Sequence, residues 1–101
     1  MKVALITGAS RGIGNAIALY LKNEGYRVLG TATSSKGVSQ LEDQGIEGLV
    51  LDLNSVDSKD ELWEQVESKE IQISVLVNNA GITRDNIVLR MSEDCLLYTS
   101  D

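Results

Sequence analysis

The 101-residue sequence has no histidine, no phenylalanine, one cysteine and one tryptophan. Without histidine there is neither a Ser-His catalytic pair nor a histidine metal site, and no metal is expected. The lone Cys95 has no partner for an internal disulfide, which fits a reducing compartment. With Trp63 the one large apolar ring, the core has to be built from Val, Leu, Ile and Ala, a mix suited to strands covered by helices. No apolar run approaches the roughly 20 residues of a membrane-spanning helix. Met1-Lys2 leads straight into a short apolar strand, so no signal peptide is expected and cytoplasm is the expected location. The net charge of −6 argues against nucleic acid or an anionic membrane as partner and leaves open a local basic site.

What is present centres on residues 2–14. A short apolar run, Val3 to Thr7, stops at Gly8, and Gly12 and Gly14 open a helical pattern. A buried parallel strand reads as a continuous apolar run. A glycine at its end permits a sharp turn, and the following helix offers unpaired N–H groups and a partial positive charge. Together these make a place for a phosphate. The alternative is a strand-to-helix turn that binds nothing. The spacing Gly8-x-x-x-Gly12-x-Gly14 differs from the G-x-G-x-x-G dinucleotide fingerprint.

Further along, strands and helices alternate. A helix is expected over about Gly12 to Asn23, with Ile13, Ala16, Ile17, Tyr20 and Leu21 at helical spacing and Gly25 closing it. A strand over Arg27–Ala32 follows, then a short helix over about Lys36–Gln44 in which Ser39 and Glu42 have capping-box spacing. Gly48–Asp52 is the third strand. A helix over about Ser55–Lys69 should turn Leu62, Trp63 and Val66 inward, with Asp60, Glu61, Glu64 and Glu67 outward, and Ile73–Asn78 is the fourth strand. Such alternation predicts an α/β fold with a parallel sheet and right-handed crossovers. Ser92 is positioned to cap one more helix.

At the end of the fourth strand stands Asn78-Asn79-Ala80-Gly81. Asparagine both donates and accepts, so it can tie the strand end to a neighbouring loop. Taken with Thr7-Gly8-x-x-x-Gly12-Ile13-Gly14, this motif resembles the short-chain dehydrogenase/reductase family. The resemblance implies a Rossmann-type parallel sheet with helices on both faces, in strand order 3-2-1-4, of which residues 1–94 would form the N-terminal half. It also implies an NAD(P) site made by Gly8, Ala9, Ser10, Arg11, Gly12, Ile13 and Gly14, with Asn79, Ala80 and Gly81 beside the ribose and nicotinamide. Asp52 would contact the adenine amino group and Leu53 pack by its ring; otherwise Asp52 is a solvated or capping carboxylate.

Cofactor choice turns on the end of the second strand. Thr31-Ala32-Thr33-Ser34-Ser35-Lys36 contains no carboxylate to repel a 2′-phosphate. Arg11 resembles the basic residue that NADP-using members place in the glycine loop, and Thr33 offers a hydroxyl. The alternatives are a solvated loop charge and an ordinary turn residue. NADP(H) is the expected cofactor. With Gly30–Ser34 and Ile82-Thr83-Arg84-Asp85-Asn86, the resemblance narrows to soluble, tetrameric reductases of bacterial fatty-acid biosynthesis, in lipid metabolism. These use NADPH to reduce 3-oxoacyl thioesters on acyl-carrier protein. A reductase for acetoacetyl-CoA or a sugar, or a non-catalytic nucleotide-binding module, are the alternatives.

Reduction of a ketone needs a proton donor for the developing alkoxide. The family uses a Tyr-x-x-x-Lys pair with a Ser and an Asn. No lysine follows Lys69, so Tyr98 and Ser100 do not make that pair, and the chain is expected to be inactive alone. Residues 95–101 also depart from the family pattern, and an interrupted reading frame with a foreign tail is expected. Half a sheet would leave the fourth strand as an open edge prone to association.

Overall fold

The computed structural model describes residues 2–52, 58–79 and 96–99, with the backbone alone for 58, 59 and 96–99. The elements run β1 (Val3–Thr7), α1 (Gly12–Asn23), β2 (Arg27–Ala32), α2 (Ser35–Asp43), β3 (Glu47–Val50), α3 (Ser58–Ser68), β4 (Val75–Asn78) and β5 (Leu96–Thr99). The sheet has the order β3-β2-β1-β4-β5, and every pairing is parallel. The expected 3-2-1-4 order is therefore present as part of a Rossmann-like α/β sheet.

β1 lies at the centre and all five of its residues are buried. Its side chains alternate between two cores, as strand geometry requires. Val3 and Leu5 join Leu29, Leu49 and Leu76 against Leu62, Trp63 and Val66 of α3. Ala4 and Ile6 join Val28, Val75 and Val77 on the opposite face, under Ala18 of α1 and Leu41 of α2. The inward and outward faces of α3 are those its sequence predicts.

The face of α1 keeps only part of the expected stripe, with Ile17 and Leu21 packed against the core. Ile13 and Tyr20 are 71% and 63% exposed, and Ala16 is exposed as well. Gly14 and Ala18 are the buried positions. α1 lies close over the sheet, and small side chains are what such an approach admits. Gly14 leaves no room at all: a Cβ there would stand 2.2 Å from the Gly8 carbonyl oxygen.

Other boundaries shift by a turn or less. α2 starts at Ser35 because Ser34 caps it, its hydroxyl accepting from the Gly37 N–H at 3.3 Å. The Ser39–Glu42 pair thus falls inside the helix. β3 ends at Val50, so Asp52 lies two residues past the strand. The open edge expected at β4 is occupied: β5 pairs with it in the register Val75↔Leu96 to Asn78↔Thr99. Leu96–Thr99, read from the sequence as part of a departing tail, thus adds a strand to the sheet. The helix expected after Ser92 lies outside the described residues.

Arg27 and Glu47 begin β2 and β3, at the edge of the sheet away from the strand C-termini. Their side chains form a two-pronged ion pair of 2.5 and 2.8 Å. The hydrogen bond from Arg27 holds the Glu47 carboxyl below its ordinary value, against an opposing effect of partial burial.

Candidate functional site

Three strands deliver their C-terminal ends to one region: Thr7 of β1, Ala32 of β2 and Asn78 of β4. In an open parallel sheet this is where ligands sit, beside the point where strand order reverses. β1 gives way to a turn in which Gly8 and Gly12 hold φ of +68° and +64°, the left-handed region that side chains disfavour.

The turn is tied on several sides. The Gly8 N–H donates to the Thr31 hydroxyl at 2.9 Å, and the Ala9 N–H donates to the Thr31 carbonyl at 2.8 Å. The Gly8 carbonyl accepts from Asn79 Nδ2 at 3.2 Å, and the Ala9 carbonyl accepts from Asn15 Nδ2 at 3.0 Å. Thr7 Oγ1, buried, accepts from the Asn79 N–H at 3.0 Å and reaches Asn78 Oδ1 at 3.3 Å. Two turn carbonyls are thus occupied by side-chain amides. A turn with its acceptors engaged in this way suits an anion.

Past the turn, α1 begins without help. Its N-cap is Arg11, whose side chain makes no capping hydrogen bond, and its first turn holds no acidic residue. Its initial N–H groups and dipole therefore meet neither a capping side chain nor a local carboxylate. α2 differs, because Ser34 caps it.

A cleft of about 810 Å³ opens between this turn and the β2–α2 segment. Gly8, Ser10 and Arg11 line one side, and Thr33, Ser34 and Lys36 the other. Among the described residues, Arg11 and Lys36 are cations on the wall and Asp43 is the one carboxylate there. A chain of net charge −6 thus keeps a locally basic cleft.

The residues singled out from the sequence are placed as follows. Gly8, Ser10, Arg11 and Thr33 line the cleft. Ala9 and Gly14 are buried under the turn, Gly12 is exposed at its outer end, and Ile13 projects from the first turn of α1. Asp52 is half-buried and does not line the cleft. Asn79 ties β4 to the glycine turn, the role its chemistry suggested. Leu53, Ala80 and Gly81 lie outside the described residues. Thr31, Asn15 and Gln44 also hold the site, through contacts that no local sequence pattern marks. Asn15 and Gln44 are 29 residues apart and form a paired amide contact of 2.8 Å, for which no local pattern exists.

The family model for short chain dehydrogenases matches residues 2–97. The chain is 48% identical over 97 residues to the 3-oxoacyl-[acyl-carrier-protein] reductase FabG of Haemophilus influenzae. It is 50% identical over 99 residues to that of Pseudomonas aeruginosa and 47% over 96 to that of Escherichia coli. Each alignment covers 92% of this chain and 39–40% of the relative. The chain therefore spans about two fifths of the length of these reductases. Among the described residues, no helix is long and apolar enough to cross a membrane.

Proposed function

Because the chain belongs to the short-chain dehydrogenase family, we propose that it is the cofactor half of an NADPH-dependent reductase acting on 3-oxoacyl thioesters carried by acyl-carrier protein. The observation that carries this reading is the basic cleft running from the glycine turn to Thr33 and Lys36. The pyrophosphate lies against the N–H groups that open α1, where Ser10, Arg11 and Gly12 approach it. The adenosine ribose lies toward Thr33. Arg11 forks onto a 2′-phosphate, with Lys36 adding charge, and the β2–α2 segment from Ala32 to Lys36 brings no carboxylate against it. By resemblance to the family, Asp52 and Leu53 are the residues proposed for the adenine, and Asn79, Ala80 and Gly81 those for the nicotinamide end.

The bound nucleotide supplies the hydride; this chain's own residues bind and orient it. A Tyr-x-x-x-Lys proton donor is absent from the 101 residues, so the chain alone binds nucleotide without turnover. The family likeness supports a soluble homotetramer in the bacterial cytoplasm for a protein of the relatives' length.

Fluorescence titration with NADPH and NADH tests the reading. The chain binds NADPH more tightly than NADH. Arg11→Ala weakens NADPH about ten- to a hundredfold, the worth of charge-assisted hydrogen bonds, and hardly changes NADH. Equal affinity for the two nucleotides removes the NADP(H) assignment, and no binding of either removes the cofactor site.

A further inference from the structure

The Ala9 carbonyl is held by Asn15, and Asn15 is itself held. Asn15 Nδ2 donates to the Ala9 oxygen at 3.0 Å and to Gln44 Oε1 at 2.8 Å. In return Gln44 Nε2 donates to Asn15 Oδ1 at 3.4 Å. A primary amide can present either its oxygen or its nitrogen to a neighbour, and the two ends differ in kind. With its oxygen engaged by Gln44, Asn15 has only its nitrogen to offer the turn. Gln44 is the C-cap residue of α2 and also part of the cleft wall. The contact therefore runs from the end of one helix, through the first turn of another, to the backbone of the glycine turn.

Resting on the cofactor reading above, we propose that Gln44 is a positioning residue for the dinucleotide: by fixing the orientation of Asn15 it holds the Ala9 carbonyl turned into the protein and keeps the turn's N–H groups presented to the pyrophosphate. The Gly8 carbonyl is held independently by Asn79, so the two amides divide the task. Gln44 acts through Asn15. Its effect falls on the pyrophosphate, which NADPH and NADH share, and not on the 2′-phosphate.

Titration of NADPH and NADH against Gln44→Met, Asn15→Leu and the double variant tests this, with melting temperatures recorded without nucleotide. Gln44→Met removes both polar atoms at nearly constant shape. It weakens both nucleotides by a common factor of roughly three to ten, the worth of a neutral hydrogen bond. Asn15→Leu weakens both at least as much, and the double variant loses no more than Asn15→Leu alone. Gln44→Asn keeps the polarity but shortens the reach, and it shows the same loss should Gln44→Met fail to fold. Unchanged affinity in a folded Gln44 variant, a loss confined to NADPH, or additive losses in the double variant each overturn the proposal while the cofactor reading stands. Failure of the unaltered chain to bind either nucleotide overturns both.

Discussion

Gly14→Ala is the perturbation that the geometry constrains most tightly. The added Cβ would stand 2.2 Å from the Gly8 carbonyl oxygen and 2.8 Å from Asn79 Nδ2. Ordinary contact begins at 3.4 Å. The nearer obstacle is backbone, so the turn or the helix has to retreat by roughly 1 Å, and overpacking of this kind costs about 1–3 kcal/mol. The 3.2 Å bond from Asn79 to Gly8 lies in the path of that retreat, and its loss adds about 1 kcal/mol. Alanine's better helix propensity returns about 1 kcal/mol. The balance is about 2 kcal/mol of destabilisation, which for a domain of this size lowers the melting temperature by roughly 8–16 °C. The assay is thermal or urea unfolding followed by circular dichroism, then an NADPH titration at a temperature where the variant is folded. Both the lowered melting point and a loss of nucleotide affinity are expected, because the same retreat displaces the N–H groups of the turn. A Gly14→Ala protein that melts within about 2 °C of the original would refute the reasoning, since only a turn with slack could absorb the methyl group.

Two further predictions concern the rest of the molecule. Trp63 is buried against Leu62, Val66 and the sheet, so Trp63→Ala costs about 3–5 kcal/mol and largely unfolds the chain; far-UV circular dichroism during urea unfolding checks it. The Arg27 hydrogen bond holds Glu47 below its ordinary value of 4.5, so the pair's contribution is fully present above that pH and is lost as the pH falls through the lower folded value. Both partners are substantially exposed, so the effect is small and weakens with salt. Comparing the pH dependence of unfolding for the original and Glu47→Gln shows a shallower acid loss in the variant; identical curves contradict the assignment.

Much of the first half was legible because its punctuation is local. Val3–Thr7, Gly12–Asn23 and Arg27–Ala32 are bounded where their apolar runs and glycines place them. Gly25, at φ +94°, supplies the break that closes α1. The start of α2, expected at about Lys36, lies one residue earlier because Ser34 caps it, while the Ser39–Glu42 spacing that resembles a capping box falls within the helix. The buried face of α1 was legible in part: Ile17 and Leu21 pack on the core, whereas the closest approach to the sheet selects Gly14 and Ala18, small residues that a pattern of large apolar side chains does not mark. β5 was missed because four residues in a short C-terminal run carry no signal of a partner strand. In the site, Asn79 was legible from its motif. Thr31 and the Asn15–Gln44 pair were not, because their roles come from contacts 23 and 29 residues apart in the chain.

The central claim is that phosphate meets bare backbone where β1 passes into α1. Amide chemical shifts in a ¹⁵N-labelled chain, followed on addition of NADP⁺, test it most directly. The account predicts that the largest changes fall on the N–H groups of Ser10, Arg11, Gly12 and Ile13, with smaller ones at Thr33 and Ser34. Changes concentrated elsewhere, with the glycine-turn amides unmoved at saturating nucleotide, would contradict it.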